Sequence, residues 1–483
     1  MTMPIPYNDP AKNRYQSERK AHWDSVACWL EKHSGLGGAY HRRLMEVYRY
    51  LVPKGGKVIE IGCGRGDLLA SLEPADGLGV DLSPEMVAQA RQRHPDLRFM
   101  EADVHTLSLE EKFDTIILSD LLNELWDVQQ TLEQLRPLCH SGTRLICNYY
   151  SRLWELPLNL ARALGLAAPQ LYQNWLTPDD INGLLKLSGF ETIRTWNEVL
   201  FPFGIPLLAP FFNRFLARIW PFNNLALSNF TLARPVSSVA ETSASPVVTV
   251  VVPARNEAGN IRSIMERVPE MGSGTELVFV EGNSSDDTYD AIERLVPEFP
   301  NRRIVLMRQD GKGKGDAVRK GFAAAAGEVL MILDADLTVP PEDLPRFYRA
   351  LMEDKGDFIN GVRLVYPMEK DAMRFFNFLG NKFFSFVFSW LLGQPVKDTL
   401  CGTKVLWKKD YDRIAANRSY FGDFDPFGDF DLIFGASHLN FKIIDLPIRY
   451  RERTYGTTNI QRWRHGWLLL QMVAFAMRRI KFT

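Results

Sequence analysis

Val58-Ile59-Glu60-Ile61-Gly62-Cys63-Gly64-Arg65-Gly66-Asp67 is an apolar run that breaks into three glycines spaced two apart, with an acid two residues before the first. The run predicts a buried strand, the glycines a tight turn, and Leu68–Leu72 the start of a helix. Strand, glycine turn and helix in that order are the opening unit of a parallel α/β sheet, in which a ligand sits against the turn. Working outward, a second strand over 77–80 ends in Asp81, and a third over 97–100 is followed by Glu101 and Asp103. A fourth over 115–119 runs into Asp120, and strands over 144–148 and 191–196 follow. Helices are expected from Pro84 to His94 and from Thr177 to Ser188. An acid after the second strand suits two ribose hydroxyls, and one after the third can accept from an adenine amine.

The stretch Arg234–Pro246, RPVSSVAETSASP, is small, polar and bounded by prolines, and it reads as a linker. Beyond it the alternation restarts, with strands expected over 247–253, 276–281, 303–307 and 329–334. The chain of 483 residues is too long for one core and accommodates two such units. The strands deliver three polar clusters: Pro253-Ala254-Arg255-Asn256-Glu257; Glu281-Gly282-Asn283-Ser284-Ser285-Asp286; and Asp334-Ala335-Asp336. Residues two apart on a strand face one way, so both carboxylates of the last cluster are expected to reach one hard divalent ion beside a diphosphate.

The first half, over roughly 40–233, resembles the class I methyltransferase family. The resemblance implies that Glu60, Gly62, Gly64 and Gly66 line the methionine end of S-adenosylmethionine, with Asp81 on the ribose and Asp103 on the adenine. A nicotinamide-binding Rossmann unit is the competitor, but it wants GxGxxG where this loop reads GCGRG. For the methyl acceptor, Asp120, Asn123, Glu124 and Asp127 stand where a general base is expected, and equally they read as the start of the next helix, with acids favoured by its dipole. Asp120 is taken as the catalytic candidate. His105 is read as a surface residue. The N-terminal segment with Tyr15, His22 and Trp23 is a candidate lid. The Phe201–Phe222 segment, with only Arg214 and Arg218 charged, reads as a hydrophobic cover or a lipid contact.

The second half, over about 247–453, resembles family 2 glycosyltransferases, and within them the polyprenyl-phosphate (dolichol-phosphate-type) sugar transferases. The resemblance implies Pro253, Arg255, Glu257, Glu281 and Asp286 around the nucleoside, and Asp334 and Asp336 on Mg²⁺ or Mn²⁺. Lys314 of Gly313-Lys314-Gly315, with Arg319, would neutralise phosphate. Arg363 and Arg453 would bind phosphates, and Asp431 sits where that group has a carboxylate. The usual acid pair of the second cluster is Glu281-Gly282 here, which leaves base selectivity open. A lipid phosphate is already a nucleophile at neutral pH. A hydroxyl acceptor would need a base, which Asp423, Asp425, Asp429 or Asp431 could supply.

The expected class is therefore α/β with two domains: a Rossmann-like class I methyltransferase over residues 1–233, a linker over 234–246, and a GT-A glycosyltransferase over 247–483. The expected partners are a nucleotide diphosphate sugar and a polyprenyl phosphate or glycan. A soluble glycosyltransferase with a hydroxyl acceptor, its first domain a docking module, is the alternative. Net charge is −1, and SDLLN stands after the fourth strand in place of an NPPY-like loop, so nucleic acid is not expected. Five scattered cysteines without metal spacing fit a reduced, cytoplasmic setting. The apolar runs Phe375–Gly393 and Trp467–Met477 are interrupted or too short to span a bilayer. Together with the basic end, they suggest contact with an anionic membrane face.

Overall fold

The computed structural model describes residues 10–32, 38–163, 171–236, 245–363, 375–418, 429–449, 451, 455 and 462–482. The chain divides between Val236 and Ser237 into two compact units.

In the first unit the strands are β1 (Lys57–Ile61), β2 (Asp76–Asp81), β3 (Arg98–Glu101), β4 (Phe113–Ser119), β5 (Cys139–Tyr150), β6 (Phe190–Glu198) and β7 (Ser228–Pro235). They form one sheet in the order β3-β2-β1-β4-β5-β7-β6. The first five are parallel, and β7 runs antiparallel between β5 and β6. Order reverses between β1 and β4, which opens a crevice at the carboxyl edge. Ile61 lies opposite Val80 of β2 and Leu118 of β4, so Gly62, Asp81 and Ser119 come out side by side along that edge.

β7 carries a correction to the linker. Arg234 and Pro235 are its last two residues, and Arg234 is fully buried, its Nε 2.6 Å from Glu191 Oε1 on the neighbouring strand. Residues 237–244 of the expected linker lie outside the described residues.

The second unit repeats the plan with β8 (Val248–Ala254), β9 (Thr275–Glu281), β10 (Arg303–Arg308), β11 (Val329–Ile332), β12 (Phe358–Val362), β13 (Lys404–Trp407) and β14 (Ile443–Pro447). Their order is β10-β9-β8-β11-β13-β12-β14, with β13 antiparallel to both neighbours. Val251, Val278 and Ile332 enter one core cluster while Val250, Val252, Phe279 and Met331 enter the other. Both faces of the sheet are therefore covered, which explains why its strands read as continuous apolar runs.

Candidate active sites

The first site begins at the glycine turn. Gly62, Gly64 and Gly66 all take positive φ (74°, 50° and 75°), a conformation open to glycine at little cost. Their neighbourhoods differ. A Cβ built on Gly66 would stand 2.6 Å from the Phe99 ring, whereas one on Gly64 would meet nothing within 4 Å. Gly66 is thus required by packing, and Gly64 borders open space of the kind a bound molecule fills. Asp81 holds this rim in place, its Oδ2 accepting from the Gly64 N–H at 2.8 Å and its Oδ1 from the Ser83 N–H at 2.9 Å. Burial pushes the Asp81 carboxyl up against these backbone hydrogen bonds. Glu60 is turned inward; it is buried and accepts from the Leu69 N–H at 3.0 Å, fixing the helix Asp67–Ser71 that follows the turn. Burial, with the charges of Asp81 and Asp67, drives Glu60 well above the ordinary carboxylate range despite that bond.

The helix Pro10–Lys32 lies along the same edge. Gln16 donates to Asp103, Lys20 Nζ sits 2.6 Å from Glu101 Oε1, and Gln89 donates to the Ala27 carbonyl. Arg19 Nε donates to the Glu124 carbonyl at 2.8 Å. Tyr15 belongs to this contact too, with its hydroxyl 3.3 Å from the carbonyls of Glu124 and Leu125. His105 is not a surface residue. Only 4% exposed, it places Nδ1 2.7 Å from Asp103 Oδ1 while Nε2 accepts from the Asp127 N–H. This pair of bonds holds Asp103 in place, and nothing in the spacing of His105 signalled burial.

Of the four candidate bases after β4, Asn123 is buried between the Asn174 carbonyl and the Tyr150 N–H. Glu124 is paired with Arg19 and hydrogen-bonded by Gln173, and Asp127 caps the helix Val128–Leu135 through the Gln130 N–H. Asp120 sits at φ +53°, with the Tyr40 hydroxyl and the Asn148 amide both donating to Oδ1.

In the second site, the loops after β8 and β9 are laced together. Asn256 N–H donates to Ser284 Oγ at 3.0 Å, Ser285 N–H to Asn256 Oδ1 at 2.8 Å, and Glu257 N–H to Thr288 Oγ1 at 3.0 Å. Glu281 accepts from the Ser284 N–H, Asp286 accepts from the Ala258 and Thr288 N–H groups, and Glu257 from the Asn260 amide. Pro253 lies near the end of β8, one residue before Ala254, and Arg255 is exposed.

The third cluster corrects an expectation. β11 stops at Ile332, so Asp334 and Asp336 occupy a turn and not the strand, and strand alternation does not orient them. Asp334 Oδ1 faces Lys314 Nζ at 2.6 Å, at the start of the helix Lys314–Ala324. Burial works to raise Asp334, but the Lys314 ammonium, with Lys404 and Arg363 beyond it, holds it below its ordinary value. Asp336 Oδ1 accepts from the Thr338 N–H (3.1 Å) and hydroxyl (2.8 Å). The Arg451 N–H bonds the Thr338 carbonyl, which brings the segment after β14 beside this turn. Gly402 completes the cluster: a Cβ there would stand 2.0 Å from Asp334 Oδ2 and 2.3 Å from Lys314 Nζ.

Arg363 is committed to Asp398, with Nε–Oδ2 2.7 Å and Nη2–Oδ1 2.9 Å, in a buried bidentate pair. Arg319 and Arg418 both face Asp431 Oδ2, at 3.5 and 3.2 Å, in a cavity of about 300 Å³ with Tyr411 and Val318 in its wall. Arg319 and Asp431 are thus partners of one another. Arg453, Asp423 and Asp425 lie outside the described residues, as does the side chain of Asp429. Sequence reasoning missed Tyr40 and Asn148 as site-building residues; Asp398 and Gly402 fall in the stretch Asp398–Lys404, which supported the resemblance without a role for either residue.

Both sheets gather their polar loops on the carboxyl edge, where open α/β enzymes hold nucleotide-bearing ligands. Residues 37–195 match the family model described as methyltransferase domain, and residues 249–413 match glycosyl transferase family 2. The chain therefore carries one domain of each kind. Dolichol-phosphate mannosyltransferase of Saccharomyces cerevisiae is 39% identical over 108 residues, 21% of this chain and 40% of that protein. The Pyrococcus furiosus protein of the same name is 25% identical over 49% of this chain and 67% of its own length. Undecaprenyl-phosphate 4-deoxy-4-formamido-L-arabinose transferase of Pectobacterium carotovorum is 27% identical over 44% of this chain and 62% of its own length. Among solved structures, a SAM-dependent methyltransferase from Thermotoga maritima covers 46% of this chain and 99% of its own at 14% identity and a TM-score of 0.35.

Proposed function

We propose that the second unit transfers a sugar from a nucleotide diphosphate donor to a polyprenyl phosphate, and that the first unit transfers methyl from S-adenosylmethionine. The observation that carries the glycosyl reading is the cluster of Lys314, Asp334 and Gly402 at the head of the sheet, beside the interlaced loops of Asn256 and Ser284. The names of the relatives supply the acceptor class.

A divalent ion fits this donor set. Magnesium-type ions take one or two carboxylates and complete their shell with phosphate and water oxygens, and Lys314 already marks Asp334 as a cation-binding carboxylate. Asp334 and Asp336 would hold the ion, which would neutralise charge on the departing diphosphate. The Lys314 ammonium adds a fixed positive charge at the same point, and Gly402 lets the backbone approach both groups closely. In-line placement of an acceptor that is already anionic then suffices, without a base.

S-adenosylmethionine fits the first site on one local ground, the open space at Gly64 bordered by Asp81. Asp81 would orient the ribose, and the bare backbone at Gly64 would let the methionine end approach closely, the N–H groups of Gly62, Cys63, Gly64 and Gly66 being already donated to Val80, Asp81 and Cys63.

A membrane face as the working place is part of the reading. No helix among the described residues is long and apolar enough to cross a membrane. The helix Phe375–Leu392 packs Phe388 and Leu391 into the core yet exposes Phe383 and Phe386. The helix Arg462–Ala476 likewise buries Leu469 and Met472 while Trp467 and Leu470 face out, with Arg478 exposed beyond its end. Apolar rows with terminal arginines suit an anionic interface.

The test is a double dissociation by calorimetry on the full chain, titrating S-adenosylhomocysteine and a panel of UDP- and GDP-sugars with Mg²⁺ or Mn²⁺. Asp81→Asn should weaken only the first ligand and Asp336→Asn only the second. Loss of both in either variant, or of neither in both, contradicts the assignment.

A further inference from the structure

The acceptor end of the methyltransferase unit has its own chemistry. Of the four polar residues after β4, three are spent on structure: Asn123 ties two backbone segments, Glu124 answers Arg19, and Asp127 caps a helix. Asp120 differs. Its backbone is held at φ +53° by the bond from its own N–H to the Asn148 carbonyl (3.1 Å), a costly conformation for a residue other than glycine. Both side-chain donors, Tyr40 Oη at 2.8 Å and Asn148 Nδ2 at 2.5 Å, act on Oδ1, and Asn148 is oriented by the Tyr48 hydroxyl at 2.7 Å. Among the described residues no donor is paired with Oδ2, and no Lys or Arg is ion-paired with this carboxylate. The position lies one residue beyond β4, next to the switch point of the sheet.

We propose that Asp120 Oδ2 is the general base of this unit and that the methyl acceptor is the uncharged hydroxyl of a ring-bearing molecule. This rests on the reading that the unit takes methyl from S-adenosylmethionine. The surroundings select the acceptor class. Asp120 is bounded by Tyr40 and Tyr48 of the helix Gly38–Leu51, Asn148 and Tyr150 of β5, Ser228 of β7, and Glu124. Glu124 is answered by Arg19, whereas Asp120 has no Lys or Arg ion-paired with it among the described residues, so its own ionised carboxylate disfavours a carboxylate, phosphate or thiolate acceptor. Tyr40 and Tyr150 lie 6.1 Å apart between centroids, and Tyr150 and Trp175 6.5 Å, giving a row of ring faces against which a flat or pyranose ring packs.

In the step, the acceptor O–H breaks and its proton goes to Oδ2. The oxygen's electron pair forms the new O–CH₃ bond, and the electrons of the S–CH₃ bond remain on sulfur, discharging the sulfonium. Burial pushes Asp120 up to about 7, with Glu124 adding to the rise and the two hydrogen bonds opposing it, a value suited to a base working near neutrality.

Binding of S-adenosylhomocysteine by calorimetry comes first; its absence would sink the methyl-transfer reading itself. With binding established, the full chain is offered labelled methyl donor with free hexoses and phenyl β-glucoside, and separately with benzoate and benzylamine. Label is expected only in the hydroxyl probes, with a pH limb near 7. Asp120→Asn should lower kcat ~10²–10⁴-fold with KM little changed. Tyr40→Phe, which removes a bond favouring the carboxylate, should move the limb to higher pH. A carboxyl-carbon NMR titration should show one group with a midpoint near 7 that Asp120→Asn removes. Methylation of benzoate or benzylamine in preference, no label in any hydroxyl probe, or a limb that survives Asp120→Asn would each overturn the proposal.

Discussion

Lys314 Nζ stands 2.6 Å from Asp334 Oδ1, and Gly402 leaves no room for a methyl group beside them, since a Cβ there would fall 2.0 Å from Asp334 Oδ2. An ammonium and a carboxylate from two distant segments are thus clamped against the bare backbone of a third. In the proposed glycosyl transfer this pair would meet the phosphate charge of the donor.

Gly402→Ala is therefore expected to abolish nucleotide-sugar turnover. Overpacking of this kind costs roughly 1–3 kcal/mol, so the second unit should still fold at reduced stability. The check is urea denaturation alongside donor binding, with S-adenosylhomocysteine binding unaltered.

Two glycines of one turn should behave differently. Gly66→Ala drives a methyl into Phe99 and should lower the stability of the first unit measurably. Gly64→Ala enters open space and carries only the penalty of its φ, of order 1 kcal/mol, yet should weaken S-adenosylhomocysteine binding more than its stability loss implies. Melting temperature against affinity separates the two.

The Arg363–Asp398 pair is buried and bidentate, so removing one partner leaves the other uncompensated. Asp398→Ala should cost roughly 3–5 kcal/mol, and the double variant with Arg363→Ala much less than the sum of the singles. Burial works to raise Asp398, but Arg363 holds it below its usual value of 3.8. Its stabilisation is present above that value and is lost as pH falls beneath it.

Asp120 carries the opposite sign. Its carboxyl is raised from 3.8 to about 7, so its contribution to folding is complete below about pH 4 and is lost as pH rises through about 7. Asp120→Asn should be more stable than the parent at pH 8 and no more stable at pH 4, while losing turnover. Denaturant melts at the two pH values give the comparison.

Trp467→Ser and Phe386→Ser replace side chains 64% and 75% exposed, so stability should change by no more than about 0.5 kcal/mol. Co-sedimentation with anionic vesicles should fall in both if these faces meet a bilayer.

The parallel half of each sheet was legible from the residues alone. β1 falls on Lys57–Ile61 as expected, because a continuous apolar run ending in glycines has few other readings. β7 was missed because SNFTLARP looks polar, and its arginine can be buried only because Glu191 of β6 lies directly opposite in register. The two residues are 43 positions apart in the chain and paired across adjacent strands, a relationship no local pattern records. β13 escaped for a similar reason, since Lys404 is fully buried there with its ammonium turned to the Cys401 carbonyl.

The acids at the strand ends were legible as types and positions, but their partners were not. Asp334 with Lys314, Arg363 with Asp398, and Asp120 with Tyr40 and Asn148 each join segments that only folding brings together. The turn that carries Asp334 and Asp336 was read as strand because apolar residues run up to Leu333 without a break.

Release of nucleotide from the UDP- and GDP-sugar panel, followed with and without undecaprenyl phosphate in the presence of Mg²⁺ or Mn²⁺, tests the glycosyl assignment most directly. The expected result is release from one donor that depends on the lipid phosphate and disappears in Asp336→Ala. Release that is indifferent to lipid, or that survives Asp336→Ala, would contradict it.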